Sequence, residues 1–239
     1  MTGSPGPARA DAASGTLPEG QVRAMFDRIA GVYDRMNSVM TAGLHHRWRE
    51  RAVDLAAVGA GTRALDVATG TGDLAIELAS RGAEVTGMDF APAMLEVARA
   101  KAPSIAFEEG DALALRYDDA DFDAVTVGFG ARNFADLDAG LREMARVAKP
   151  GGRVVVLEIT TPQRPPLSWF FRAWFDGFVP ALGHLADSDA YTYLPSSVRR
   201  FPGPDELAGR MAAAGLTDVR WILTAGGIIA MHAGTRPAP

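Results

Sequence analysis

Ala64-Leu65-Asp66-Val67-Ala68-Thr69-Gly70-Thr71-Gly72-Asp73 sets the fold class expected of this 239-residue chain. An apolar run meets two glycines spaced Gly70-x-Gly72, and Leu74, Ile76, Leu78 and Ala79 follow at once as an amphipathic run. That order predicts a strand, a tight turn and a helix start. Glycines there let the backbone turn sharply and approach a ligand, and the new helix presents unpaired N–H groups beside them. A nucleotide-like cofactor suits such a turn. Two carboxylates, Asp66 in the strand and Asp73 in the turn, suit hydroxyls or a cation better than a pyrophosphate.

Downstream, strand and helix alternate. A helix to about Arg81 leads to a strand over Glu84 to Met88, closed by Asp89, and a further helix begins at Ala91-Pro92, proline being suited to a first helical turn. Asp89 stands 19 positions beyond Gly70, close to the spacing of roughly 20 at which an acidic side chain meets ribose hydroxyls in nucleotide-binding βαβ units. A strand at Ile105 to Glu108 runs into Gly110-Asp111-Ala112, so three strands deliver carboxylates to one edge. Asp123 to Phe129 forms the next strand and Leu137 to Val147 a helix; Lys149-Pro150-Gly151-Gly152 turns into a strand over Val154 to Ile159. This alternation predicts an α/β, doubly wound, mainly parallel sheet, with ligands outside the carboxyl ends of its strands. Gly70, Asp89, Asp111 and Gly128 to Asn133 should gather there.

Upstream, Val22, Met25, Phe26, Ile29, Val32 and Tyr33 recur at three- and four-residue steps and predict a helix ending near Tyr33-Asp34. A break over Met36 to Gly43 precedes a second helix from about His45 to Ala57, with Trp48, Ala52 and Leu55 facing inward. Residues 1–20, rich in Gly, Pro, Ala and Ser, read as a disordered tail and lack the pattern of a signal peptide. Residues 21–239 read as one domain, with 21–60 as a helical cap and 161–204 as an aromatic, helical insertion. A helix from Asp205 to Ala214 leads to strands at Val219 to Thr224 and Ile228 to Ala233. Only Ala225, Gly226 and Gly227 join them, too few for a parallel crossover, so this pair is antiparallel.

Composition narrows the classes. At 48% hydrophobic residues the chain can build a substantial core, and its net charge of −5 gives no electrostatic reason to expect nucleic acid. With no cysteine, disulfides, thiolate catalysis and thiolate-ligated metals are excluded, and no metal site is expected. The greasiest segment, Leu167 to Leu185, is interrupted by Arg172, Asp176, Pro180 and His184, whereas a spanning helix needs about 20 mostly uncharged residues. A cytoplasmic protein without a transmembrane segment is the expectation. The aromatic run Trp169 to Phe178 reads as a lid or wall for an apolar ligand group, as an amphipathic patch touching the inner face of a membrane, or as core packing or a homodimer interface.

The chain resembles class I S-adenosylmethionine-dependent methyltransferases, with a seven-stranded sheet whose last strand is antiparallel. Within them it resembles the menaquinone/ubiquinone C-methyltransferase family from Met25-Phe26-Asp27 to His232-Ala233-Gly234. The stretches that carry this are Tyr33-Asp34-Arg35-Met36-Asn37, Leu65 to Asp73, Phe129 to Asn133, Leu157-Glu158-Ile159 and Ala190-Tyr191-x-Tyr193-Leu194-Pro195-x-Ser197-Val198-Arg199. The resemblance implies S-adenosyl-L-methionine as cofactor and a prenylated quinol as acceptor. It implies that Thr71 and the backbone of Gly70 and Gly72 hold the cofactor's methionine end, Asp89 its ribose, and Asp111 with Ala112 its adenine. Asp66, Asp73, Phe90 and Gly128 complete the cofactor-binding candidates; Asp66 has the alternative of ordering the glycine loop without touching ligand. The family often has serine where this chain has Gly128.

Arg132 and Asn133 are the catalytic candidates that the resemblance implies, and Tyr191 joins them as a weaker candidate for base or orientation, with core packing as its other reading. A phenol with pKa near 10 costs about 4 kcal/mol to ionise at pH 7. Arg132 stays protonated and so suits electrostatic stabilisation, not proton abstraction. Its other reading is a loop anchor, and that of Asn133 a helix cap. Tyr33, Asp34 and His232 are weaker candidates, His232 reading best as packed. His45 and His46 read as surface residues. Two rivals come from other classes. A nicotinamide-dependent oxidoreductase is suggested because Gly70 to Ala75 formally matches the dinucleotide fingerprint, against which stand Asp66, Asp73 and the antiparallel finish. The other is a non-catalytic, cofactor-binding scaffold. A methyltransferase of another aromatic or polyketide-type molecule keeps the reaction and changes the acceptor.

Overall fold

The computed structural model describes residues 18–162, 165, 167–172 and 190–238. Most of the expected tail, and Trp174, Phe175 and Phe178 of the aromatic run, lie outside the described residues. The elements in chain order are α1 (Glu19–Thr41), α2 (Leu44–Ala56), β1 (Arg63–Val67), α3 (Asp73–Ser80), β2 (Glu84–Asp89), α4 (Pro92–Lys101), β3 (Ala106–Glu109) and β4 (Phe122–Gly128). A short 3₁₀ turn (Ala131–Asn133) follows, then α5 (Leu137–Val147), β5 (Ala148–Ile159), α6 (Leu167–Arg172), α7 (Ala190–Arg200), α8 (Pro204–Ala213), β6 (Thr217–Thr224) and β7 (Ile229–Thr235).

Seven strands form one sheet in the order β3-β2-β1-β4-β5-β7-β6. The pairs from β3 through β5 are parallel, and β7 runs antiparallel to both β5 and β6. The expected doubly wound sheet with an antiparallel last strand is therefore the observed one. Side chains alternate across it, as a period of two requires. Ala64, Ala124, Val155 and Leu157 join α2, α3 and α4 on one face through Trp48, Ala52, Leu78 and Leu95. Leu65, Val67, Val125, Val127 and Val156 meet Leu141 and Met144 of α5 and Leu207 and Met211 of α8 on the other. Fully burying one such aliphatic side chain contributes about 1.5–3 kcal/mol, so the two layers clamp the strand ends that carry the carboxylates.

Two expectations need correction. The opening helix does not stop near Tyr33-Asp34 but continues to Thr41, ending where Ala42 and Gly43 take left-handed φ of 49° and 75°. No glycine or proline interrupts residues 32–41, and Met36 and Met40 prolong the apolar stripe of Met25, Ile29 and Tyr33. The segment Lys149 to Gly152 is not a turn before a strand. It lies within β5 as a bulge, where pairing to β4 passes from Phe122–Ala148 to Ala124–Arg153, and Gly151 supplies the positive φ of 80°. No helix among the described residues is long and apolar enough to cross a membrane.

Candidate functional site

The carboxyl ends of β1, β2, β3 and β4 enclose a cleft that carries four carboxylates. Of the residues expected to hold a cofactor, Asp66, Gly70, Thr71, Asp73, Asp89, Phe90, Asp111, Ala112 and Gly128 all line it. Gly72 is outside this lining. Its φ is 84°, and a Cβ there would stand 2.9 Å from Phe107 Cζ and 3.1 Å from Ala98 Cβ. Gly72 thus serves the packing of the turn against α4 and β3, whereas Gly70, at φ 57°, has open space where its Cβ would be.

Asp89 ties the turn to the second strand: Oδ2 accepts the Gly70 N–H at 2.7 Å and Oδ1 the Ala91 N–H at 2.9 Å. Burial outweighs these bonds and pushes its pKa up to about 6. Asp66 is also buried and pushed up to about 6 by desolvation. Its two oxygens accept the hydroxyls of Thr69 at 2.6 Å and Thr126 at 2.8 Å, an arrangement that orders the loop before the glycines. Asp111 accepts the Leu113 N–H at 2.8 Å, shaping the loop after β3. Gly128 leaves room for Leu74, whose Cδ2 would lie 2.9 Å from an added Cβ.

The helical cap reaches into the same turn. Thr71 Oγ1 donates to Asp34 Oδ1 at 2.6 Å, and Lys101 bonds both Asp34 and Asp73. Arg49 Nη2 stands 3.2 Å from Asp73 Oδ2. Burial opposes the charge of Asp73, yet Arg49 and Lys101 hold its pKa below the usual range. His45, expected on the surface, is only 2% exposed. It lies one turn before Arg49, which donates to its Nδ1. Burial and then the Arg49 charge lower its pKa to about 4. An arginine can only donate, so the ring proton resides on Nε2, 3.2 Å from Ser38 Oγ.

Against this cleft lies a chamber of about 540 Å³ with mostly apolar walls. Met25, Ile29, Met36 and Met40 of α1 line one side, and Leu44 and Trp48 of α2 another. Ile159, Phe171, Leu194 and Ile229 complete the wall; Phe26, Tyr33, Arg49 and Phe129 line both cavities. Arg132 belongs to the chamber and Asn133 to the cleft, so the two adjacent candidates face the junction from opposite sides. Arg132 is buried against Glu158, itself 1% exposed, with Nη1 2.7 Å from Glu158 Oε1. Burial works against its charge, and Glu158 more than restores it, raising the guanidinium pKa. The Arg132 Nε is buried with no hydrogen-bond partner among the described residues.

Tyr193 Oη donates to Asn133 Oδ1 at 3.1 Å, which turns the Asn133 amide N–H groups into the available donors. Asn133 sits in the 3₁₀ turn, and the helix-capping side chain nearby is that of Asp136, which accepts the Ala139 N–H. Tyr191 lies on α7, but its side chain falls outside the described residues. His232 is packed, with Nε2 2.9 Å from Pro204 O, and lines neither cavity. Glu158, Tyr193, Arg49 and His45 were absent from the expected site set. Their signals, polar residues at helical or strand positions that should be apolar, acquire meaning only from tertiary neighbours.

The residues of the cleft fit S-adenosylmethionine chemically. Asp89 and Asp111 are acceptors for hydroxyls and amine hydrogens, Phe90, Met94 and Leu113 offer apolar surface for a flat base, and Gly70 leaves backbone bare.

Comparisons with known proteins agree. A model of the ubiE/COQ5 methyltransferase family matches residues 15–236. A demethylmenaquinone methyltransferase of Thermus thermophilus is 50% identical over 221 residues, covering 89% of this chain and 100% of that protein. One from Deinococcus radiodurans is 48% identical, covering 90% and 92%. Among solved structures, a putative methyltransferase in complex with the Haloferax volcanii Trm112 methyltransferase activator has a TM-score of 0.65 at 20% identity, covering 89% and 98%. A possible histamine N-methyltransferase of Thermotoga maritima gives 0.65 at 19%, with the same coverages. These last two show the fold.

Proposed function

The chain belongs to the ubiE/COQ5 methyltransferase family, and from that premise we propose that it methylates a ring carbon of a demethylated, prenylated naphthoquinol. It is an S-adenosylmethionine-dependent methyltransferase of quinone biosynthesis, which sets aside the nicotinamide reading of the glycine turn. The observation that carries the acceptor is the chamber: about 540 Å³ of mostly apolar space beside the cleft, with the buried cation Arg132 in its wall. A prenylated aromatic ring needs that combination, apolar volume for the tail and one electrostatic handle for an oxygen.

When bound, S-adenosylmethionine supplies an electrophilic methyl group, which replaces a ring hydrogen whose proton is released. The chain supplies alignment and charge. Arg132, held by Glu158 and the Phe129 carbonyl, presents N–H dipoles to the quinol oxygen as it becomes phenolate, which offsets part of the roughly 4 kcal/mol of ionisation. Asn133, oriented by Tyr193, donates to a ring hydroxyl and fixes the ring's rotation. Tyr33 and Phe129, which line both cavities, form the passage between donor and acceptor. Asp66 supports the loop, while Asp89, Asp111 and the Gly70 backbone hold the donor.

Trp169, 65% exposed, stands two residues before the chamber-lining Phe171 on α6, and Leu44 of the chamber is also partly exposed. This apolar rim would meet the lipid surface in which a prenylated acceptor resides. Supplying methyl-labelled donor with reduced demethylmenaquinol, a demethylated benzoquinol and a naphthoquinol without a tail tests the whole reading. The prenylated naphthoquinol is expected to show the highest kcat/KM. Transfer to none of the three would sink it, and preference for the tail-less ring would remove the chamber's role.

A further inference from the structure

Among the described residues that line the donor cleft, Arg49 is the one cation, against the carboxylates of Asp66, Asp73, Asp89 and Asp111. S-adenosylmethionine carries a carboxylate at its methionine end, and an anion entering an acidic cleft needs a cation to meet it. Arg49 comes from α2, not from the sheet. It is 7% exposed and reaches the first residue of α3, Asp73, directly after the glycine turn. Its hold there is loose: 3.2 Å to Asp73 Oδ2, where tight charge-assisted bonds run about 2.7–2.9 Å.

Asp73 has a second cation in Lys101, so it stays paired when Arg49 turns to another anion. Two further partners, His45 Nδ1 and the Phe129 ring whose centroid lies 5.8 Å from Arg49 Cζ, carry no charge and orient the guanidinium without discharging it. The planar fork of an arginine also matches a carboxylate bidentately.

We propose that Arg49 binds the methionine carboxylate of the donor and makes the cleft selective for donors that carry it. This rests on the reading that the cleft holds S-adenosylmethionine. The test is calorimetry on the full chain with S-adenosylmethionine and with its decarboxylated form, which lacks only that carboxylate. The unaltered chain is expected to prefer the carboxylated ligand roughly 10- to 100-fold. R49Q should abolish that preference while leaving the decarboxylated ligand's affinity within about threefold, and R49K should restore part of it. A preference below about threefold in the unaltered chain overturns the proposal whether or not the variants fold. So does a preference in folded R49Q that stays within about threefold of the original, whether both affinities fall or neither does. An unaltered chain that binds neither ligand overturns the cleft reading and this proposal with it.

Discussion

The donor cleft and the acceptor chamber share four wall residues, Phe26, Tyr33, Arg49 and Phe129, yet are made of different material. The cleft is strand-end loops, with the Gly70 backbone and four carboxylates, all but Asp66 standing at or beyond the end of a strand. The chamber is side chains gathered from α1, α2, α6, α7, the segment after β4 and the ends of β5 and β7, mostly apolar. The cleft therefore depends on a few positions in a fixed local pattern, and the chamber on many positions that can change singly. One sheet edge can keep its donor while the cap is rebuilt for a different acceptor.

If the two regions are separable, damage to one should spare binding in the other. The largest expected effect is that of Arg132→Ala. Removing the guanidinium leaves the buried Glu158 carboxylate unpaired, costing about 3–5 kcal/mol of stability, and turnover should fall about 100-fold or more. Donor affinity, read by calorimetry, should stay within about threefold; a matching loss of donor binding would break the separation.

Asp89→Asn should weaken donor binding about tenfold to a hundredfold at pH 7.5 and spare turnover at saturating donor. It also removes a pH dependence. The Asp89 carboxyl, at about 6 in the fold, accepts hydroxyl hydrogens fully only when ionised, so donor affinity should be flat above pH 7 and fall below about 6, by at most about tenfold per unit. Asp66 and Asp89 rise from 3.8 to about 6, so the folded state keeps protons that the unfolded state has released. Through these groups the ligand-free protein should lose stability as pH climbs from about 4 to about 6, which urea midpoints would show. A rise over that range in excess of other carboxylates' contributions, unchanged in a doubly substituted Asp66→Asn, Asp89→Asn chain, would contradict the shifts.

On the chamber side, Met40→Trp narrows the wall formed by α1 and should raise KM for a long-tailed acceptor about tenfold, with a tail-less ring and the donor hardly affected. Equal effects on both acceptors would place the tail elsewhere. The smallest change is expected of Gly128→Ser. Its Cβ would press on the movable end of Leu74, a cost of about 1 kcal/mol in unfolding midpoint, with donor affinity unchanged within about twofold. A marked gain in affinity would mean that a hydroxyl at this position completes the cleft.

Legibility in the sequence followed the same division. The glycine turn, Asp89 at 19 positions beyond it and the antiparallel finish forced by Ala225 to Gly227 are local patterns; the first and last led to the mainly parallel sheet with its antiparallel end, and Asp89 does meet the turn, accepting the Gly70 N–H. The true extent of α1 was also legible, since Met36 and Met40 continue its stripe, but the polar residues after Tyr33 obscured it. His45 was not legible: a histidine in the first turn of a helix reads as solvated until Arg49 and the chamber close over it. The pairing of Arg132 with Glu158 spans 26 positions and that of Tyr193 with Asn133 spans 60, distances that only packing can bridge. Gly72 shows a second demand on a motif glycine that the sequence alone does not display, the close approach of Phe107 to its α-carbon.

Methyl transfer to a quinol ring carbon can be read from a single turnover with ¹³C-methyl-labelled S-adenosylmethionine and reduced demethylmenaquinol, the product being examined by carbon NMR. One labelled methyl group is expected, on the ring carbon that bore hydrogen. Label on a ring oxygen, or none on the quinol while the donor is demonstrably bound, would contradict it.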